Sequence, residues 1–308
     1  MNAKHLVTLM DWSAAEITEV LDLAHELKDR VQKGRLEHTL SDQTLALVFE
    51  KASMRTRVSF EVAMTQLGGA SLYLSKDDVN LGKREPVKDG ARVLARYVDG
   101  VAARVYHHSV VEELAEYSDI PIINALSDLA HPCQALADIM TVQESFSDTS
   151  TVNVAYIGDA NNVARSLAIA CARLGIDFRI GAPEGYQFTE SFQKQVSGLA
   201  EETGAKFSIT DSPTEAARDA HVLYTDTWVS MGQEEEARDR LRDFEGYGID
   251  SDLVDLADDD CIVLHCLPAY RGNEITNEVI EGEHSAVFDQ AENRLHAQRA
   301  LMQLLMGD

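Results

Sequence analysis

Apolar residues recur at helical spacing over residues 13–33, predicting an amphipathic helix whose start carries Ser13 and Glu16 at capping-box distance. A short apolar run at 44–51 (TLALVFEK) then predicts a buried strand. Residues 53–67 return to helical spacing and stop at Gly68-Gly69. SLYL (71–74), GVAARVY (100–106) and PIINAL (121–126) predict three more strands. Helices are predicted at 86–97 and 132–145, each opening at a proline. The polar stretch SFSDTST (145–151) interrupts the series, which then resumes. Strands are predicted at 151–159, 178–183, 221–228 and 261–268, with helices at 161–175 and 292–306. The charged tract 232–247 reads as a solvated helix or loop. Repeated strand–helix units predict an α/β fold of two domains, each an open, mostly parallel sheet with helices on both faces. The expected domains are 1–147 and 148–291, with the terminal helix 292–308 packing back on the first.

Composition changes this picture in one respect. The chain of 308 residues carries 52 Asp plus Glu against 27 Lys plus Arg, a formal charge of −25. Leu, Ile, Val and Phe number 79, about a quarter of the residues and above the ~20% that marks disorder. The chain is therefore expected to fold beneath a carboxylate-rich surface, as proteins of high-salt environments do. Such a charge repels phosphate backbones and argues against a nucleic-acid partner. No run approaches 18 apolar residues, so no membrane partner is expected, and the first residues lack the basic and apolar pattern of a secretory leader. Four cysteines without a CxxC pair fit free thiols in a reducing cytoplasm.

The chemistry-bearing residues sit at the carboxyl ends of the predicted strands, where open α/β sheets bind ligands. Ser53-Met54-Arg55-Thr56-Arg57 follows one strand and opens a helix. Its free N–H groups, two hydroxyls and two guanidiniums suit an anion, against the plainer alternative of a capped helix with surface ion pairs. Arg104 ends the next strand, and taken alone it is an ordinary strand-end arginine. In His131-Pro132-Cys133-Gln134, the imidazole can polarise a carbonyl and the amide can accept from another amide. The His-x-Cys pair has no second pair at zinc spacing, so no metal is expected. Gly158-Asp159-Ala160-Asn161-Asn162 stands where a dinucleotide fold carries GxGxxG and lacks those glycines. Asp226 can hold an ammonium group, and Cys266 in His265-Cys266-Leu267-Pro268 is either a nucleophile or a small packing residue. Arg294 lies where it can turn toward the anion site.

SMRTR, HPCQ, DTWVSMG, HCLP and FDQAENR, in this order over almost the whole chain, resemble the carbamoyltransferase family, and DxxxSMG resembles its ornithine-using branch. Met54 departs from the family's usual Thr, a change compatible with a role through its backbone N–H. The resemblance implies carbamoyl transfer from carbamoyl phosphate to the δ-amine of L-ornithine, giving L-citrulline and phosphate, or the reverse. It implies that Ser53, Met54, Arg55 and Thr56 hold the phosphate. Arg104, His131 and Gln134 would hold the carbamoyl group, and Cys266, Leu267 and Arg294 would complete that set. Asn80 stands where the family usually has a Gln or His reaching a neighbouring subunit's site. Asn162, Asp226, Ser230 and Met231 would hold ornithine, with Asn162 preferred over Asn161. Arg55, Arg104, His131 and Cys266 would carry the catalysis. No cofactor and no metal are implied, and the partners would be copies of the same chain in a trimer or multiple of trimers.

Three rivals stand at this point. A carbamoyltransferase for another amine, such as putrescine or an acylated ornithine, would differ in product. A Rossmann-like oxidoreductase would bind NADH. A non-enzymatic acidic binding protein gives no reason for Arg, His and Cys to gather at strand ends.

Overall fold

The computed structural model describes residues 2–79, 82, 85–229 and 234–307. Asn80, Ser230 and Met231, expected at the site, lie outside the described residues. The chain divides into two compact units, residues 1–140 with 292–308, and residues 141–291.

In the first unit, strands β1 (Thr44–Phe49), β2 (Ala70–Ser75), β3 (Gly100–Arg104) and β4 (Ile122–Leu126) form one sheet in the order β2-β1-β3-β4. All of its pairings are parallel. Strands β1 and β3 are buried almost throughout, as a parallel sheet covered on both faces requires. Ala46, Val48, Val101 and Ala103 pack with Val111 and Leu114 of the helix His108–Glu116. Leu45, Leu47 and Ala102 alternate to the opposite face. The register of β3 against β4 slips between Ala103 and Arg104, so Arg104 pairs with Leu126. Such an irregularity at a sheet edge re-aims one side chain, here the arginine.

In the second unit, β5 (Asn153–Ile157), β6 (Asp177–Gly181), β7 (Phe207–Thr210), β8 (Val222–Thr225) and β9 (Ile262–His265) form a sheet in the order β7-β6-β5-β8-β9. Its pairings are also parallel. Ala155, Ile157, Leu223 and Val263 face one core with Ala216, Ile249 and Ile275. Tyr156 and Tyr224 stack on the other face at 5.3 Å. The α/β reading with parallel sheets in two parts is therefore the observed architecture. No helix among the described residues is long and apolar enough to cross a membrane.

Several predicted elements need correction. The helix expected from Pro86 runs Val87–Leu94, with Pro86 as its N-cap. The helices His108–Glu116 and Glu190–Thr203 and strand β7 carry mixed patterns that the apolar periodicity did not single out. The terminal helix begins at Val287, five residues before its expected start. Its early polar residues looked like a loop because their burial depends on distant partners. Gln290 is fully buried, accepts the His265 N–H at 2.8 Å and donates to the Tyr224 hydroxyl at 3.1 Å.

Candidate active site

The first unit gathers a cationic, hydroxyl-bearing group at the carboxyl edge of its sheet. Ser53 caps the helix Met54–Gln66, its Oγ accepting the Thr56 N–H and donating to Thr56 Oγ1 at 3.1 Å. The helix begins there because Ser53 satisfies one first-turn donor, while the N–H groups of Met54 and Arg55 have no intrahelical acceptor. Met54 is 70% exposed, so what this position offers to the group is its backbone N–H. Thr56 is buried, and Arg294 Nη2 lies 3.5 Å from its Oγ1. Arg294 Nη1 donates to Gln134 Oε1 at 2.6 Å. The Gln298 amide, with its oxygen toward Arg294 Nη2 (2.9 Å) and its nitrogen toward Ser59 Oγ (2.6 Å), buttresses the same guanidinium.

His131 precedes the helix Pro132–Ser145 and is buried near Arg104 and Arg294. Burial first, then these two guanidiniums, hold its pKa well below the ordinary 6.5. It is therefore a neutral imidazole at neutral pH, able to donate a hydrogen bond without bringing a second cation. Cys133 points elsewhere: its thiol lies 3.5 Å from the Asn124 carbonyl, and burial pushes its pKa up to about 12. It is a packing residue.

Not every arginine of SMRTR joins this group. Arg57 turns outward, pairs with Glu61 at 2.9 Å and lies 3.9 Å above the Tyr73 ring. The surface ion-pair alternative is thus correct for Arg57, because helical geometry sends residue 57 to a different face from residue 56. Gln134 also differs from a free amide waiting for a ligand. Its oxygen already accepts from Arg294 and its nitrogen donates to Asp138 at 2.8 Å.

The second unit builds a separate carboxylate centre. Asp226 follows β8 and is buried. Its Oδ1 accepts from the Thr227 N–H at 2.8 Å and from the Cys266 thiol at 3.0 Å, and its Oδ2 accepts from Asn161 Nδ2 at 2.8 Å. Asn161 also caps the helix Asn162–Leu174 through Oδ1, which receives the N–H groups of Val163 and Ala164. Its amide is thereby committed on both sides, whereas Asn162 occupies the first helical position. Gly158, with φ +139, makes the sharp exit from β5 that sets this cap, a conformation only glycine adopts readily.

Cys266 and Leu267 sit on a turn held by buried side chains. His265 Nδ1 accepts the Leu267 N–H at 2.8 Å, which leaves the imidazole proton on Nε2, 3.2 Å from Glu274 Oε1. Both His265 and Glu274 are buried. Leu267 adopts φ +56, unusual for a residue with a Cβ, and the His265 bond is what holds it there. Donor atoms of Asp226, His265 and Cys266 lie within 4.8 Å of one another. The imidazole nitrogens are engaged by Leu267 and Glu274 and the thiol by Asp226, so each of the three side chains already has a hydrogen-bond partner.

Chemically, one unit offers fixed positive charge around a helix N-terminus, and the other a carboxylate beside a thiol. The amino-acid sequence places both within a known family. Residues 4–144 match the carbamoyl-P binding domain of aspartate/ornithine carbamoyltransferase, and residues 150–305 match its Asp/Orn binding domain. The chain belongs to the aspartate/ornithine carbamoyltransferase family. It is 50% identical over 304 residues to an ornithine carbamoyltransferase of Archaeoglobus fulgidus, covering 99% of this chain and 98% of that one. Ornithine carbamoyltransferase from Pyrococcus furiosus superposes with a TM-score of 0.96 at 48% identity, covering 98% of this chain and 97% of that one. The anabolic enzyme from Campylobacter jejuni gives 0.93 at 43% identity, covering 98% and 99%.

Within this family member, motif reading missed three buried groups that organise the site. Asp138 supports Gln134, Glu274 supports His265, and Arg240 forms an ion pair with Asp159 while its Nε donates to the Trp228 carbonyl. Asp138 lies one helical turn from Gln134, a spacing visible in the sequence. Arg240 lies inside the tract expected to be solvated, and nothing in its local pattern separates it from exposed Arg238 or Arg242.

Proposed function

We propose that this chain transfers the carbamoyl group of carbamoyl phosphate to the δ-amine of L-ornithine, forming L-citrulline and phosphate, and that it also supports the reverse phosphorolysis. The observation that carries this reading is the group formed by Arg294, Gln134 and Thr56 beside a neutral His131 and Arg104. A phosphate suits the guanidiniums and the helix N-terminus, and a carbonyl oxygen gaining charge suits hydrogen-bond donors fixed beforehand, as Arg104 and a neutral His131 are.

We assign carbamoyl phosphate recognition to residues 1–147 with the terminal helix 292–308, and ornithine recognition to 148–291. Ser53, Met54, Arg55 and Thr56 bind the phosphate with Arg294. Arg104, His131 and Gln134 bind the carbamoyl group, to which Cys266 and Leu267 also contribute. Asn162, Asp226, Ser230 and Met231 bind ornithine, and Asn80 serves a neighbouring subunit. In the reaction the neutral δ-amine attacks the carbonyl carbon and forms a C–N bond. Arg104, His131 and Thr56 stabilise the oxyanion of the tetrahedral intermediate. The C–O bond to phosphate then breaks, the leaving phosphate is neutralised by Arg55, Arg294 and the helix N-terminus, and the proton lost by the amine passes to that phosphate. Positioning and fixed charge supply the acceleration. The working form is a trimer or multiple of trimers in a salt-rich cytoplasm, a setting consistent with the charge of −25.

Citrulline formation tests the reading directly. Ornithine should be carbamoylated in strong preference to putrescine, and a putrescine preference would overturn the assignment of the amine. Arg55→Ala should lower kcat/KM for carbamoyl phosphate by about a thousand-fold with the fold intact by circular dichroism, the scale of losing a fixed charge on the transition state. Near-normal kcat/KM in that variant would remove the phosphate role.

A further inference from the structure

The helix Pro132–Ser145 buries an acid that no step of the proposed reaction uses. Asp138 is fully buried, one turn below Gln134, and its Oδ1 accepts from Gln134 Nε2 at 2.8 Å. Gln134 is 1% exposed, and its Oε1 accepts from Arg294 Nη1 at 2.6 Å. The chain of contacts Asp138–Gln134–Arg294 thus runs from the interior of the first unit to its anion-binding group.

A glutamine amide is nearly symmetric in shape and opposite in chemistry at its two ends. Its oxygen accepts two hydrogen bonds, and its nitrogen donates two. Here Asp138 Oδ1 accepts from the amide nitrogen, and a guanidinium can only donate. With Asp138 on one side and Arg294 on the other, one orientation makes two favourable contacts, and the reverse makes two repulsive ones. The amide is therefore locked with its oxygen on the Arg294 side. Among the described residues Arg294 supplies one hydrogen bond to that oxygen, which can accept two, so a ligand N–H can be its second partner.

We infer that Asp138 is a positioning residue that sets substrate specificity: by fixing the Gln134 amide, it presents a hydrogen-bond acceptor that selects an acyl phosphate bearing an NH2 over one bearing a methyl. The inference rests on the proposed carbamoyl phosphate reading and deepens it. A reversed amide would set its own NH2 against the ligand's NH2, losing the bond and leaving two donors facing each other. A methyl in the same place has no hydrogen bond to lose, so an acetyl group would sense the reversal far less.

The test compares two ligands of equal phosphate chemistry, carbamoyl phosphate and acetyl phosphate, binding to the full-length assembled protein by calorimetry. Wild type should prefer carbamoyl phosphate. Asp138→Leu removes the acceptor that holds the amide nitrogen and leaves Arg294 alone to orient the amide, so it should weaken carbamoyl phosphate several-fold more than acetyl phosphate. General loosening of the site would weaken both ligands alike and leave the preference unchanged, and that result would overturn the inference. Gln134→Met provides a second route should the Asp138 variant not fold. It removes the amide and must lose the same preference, so retention of wild-type preference there also overturns it. With both substitutions together, the loss of preference should equal that of Gln134→Met alone, because Asp138 acts only through the amide. Failure of wild type to bind carbamoyl phosphate would instead defeat the proposed function itself.

Discussion

The most consequential single residue is His131, because its protonation state decides what it can do. Buried beside Arg104 and Arg294, it resists taking a proton that the unfolded chain accepts near pH 6.5. Between that value and its lower folded pKa, the unfolded state binds more protons than the folded state. Stability is therefore full above 6.5 and falls as pH decreases through and below it. His5 and His296, both also held below 6.5 chiefly by burial, add slopes of the same sign. His131→Asn should flatten the dependence of the urea midpoint on pH between about 7 and 5.5. An unchanged slope would mean that His131 contributes nothing to it. The same argument predicts that His131 stays a neutral donor throughout the neutral range.

At the scale of elements, the segment that follows β8 is held by one arginine. Arg240, in the helix Ala237–Asp243, forms an ion pair with Asp159 and lies over the rings of Tyr186 and Phe244 at 4.9 and 5.7 Å. Trp228 and Tyr186 both contact the Phe244 ring, so an aromatic cluster shields the pair from water. Asp159 still has a raised pKa, because burial outweighs the neighbouring guanidinium and nearby Asp226 adds repulsion. Arg240→Leu would leave that half-buried acid without its cation. We expect a loss of about 1.5–3 kcal/mol in urea unfolding, the scale of a charged hydrogen bond and below that of a fully buried pair. Adding Asp159→Asn should recover a large part of it. No recovery in the double variant would show that Arg240 stabilises through its ring contacts and the Trp228 carbonyl instead.

For the whole molecule, the distribution of charge matters more than its sum. Of the 52 acids, only Asp138, Asp226 and Glu274 are buried among the described residues, while Arg104, Arg240, Arg294 and Arg299 are buried from the smaller set of cations. The acid excess is therefore on the surface, while four arginines are buried among the described residues. Surface repulsion is screened over ~10 Å at 0.1 M salt and over ~3 Å at 1 M. Activity and oligomeric assembly are expected to fall below roughly molar salt, where that screening weakens. Kinetics and sedimentation measured across a salt series would check this. Full activity of a stable oligomer in dilute buffer would refute the salt requirement and leave the carbamoyl-transfer chemistry untouched.

The sequence by itself determined the class of fold and which strand ends carry the candidate residues. Strand runs such as 44–51 are apolar because both faces of a parallel sheet are buried, and ligand residues follow such strands because helix N-termini open there. Short-range caps were equally legible: Ser13 with Glu16, and Ser53 with Thr56, act within four residues of each other. Only the tertiary structure decided which polar residues work as partners. Asp138, Glu274 and Arg240 look like surface residues in their local pattern, and their burial is tolerated because Gln134, His265 and Asp159 meet them. Periodicity records which face of an element is dry. It cannot record a hydrogen bond between residues 134 and 294, whose separation of 160 positions is closed only by folding.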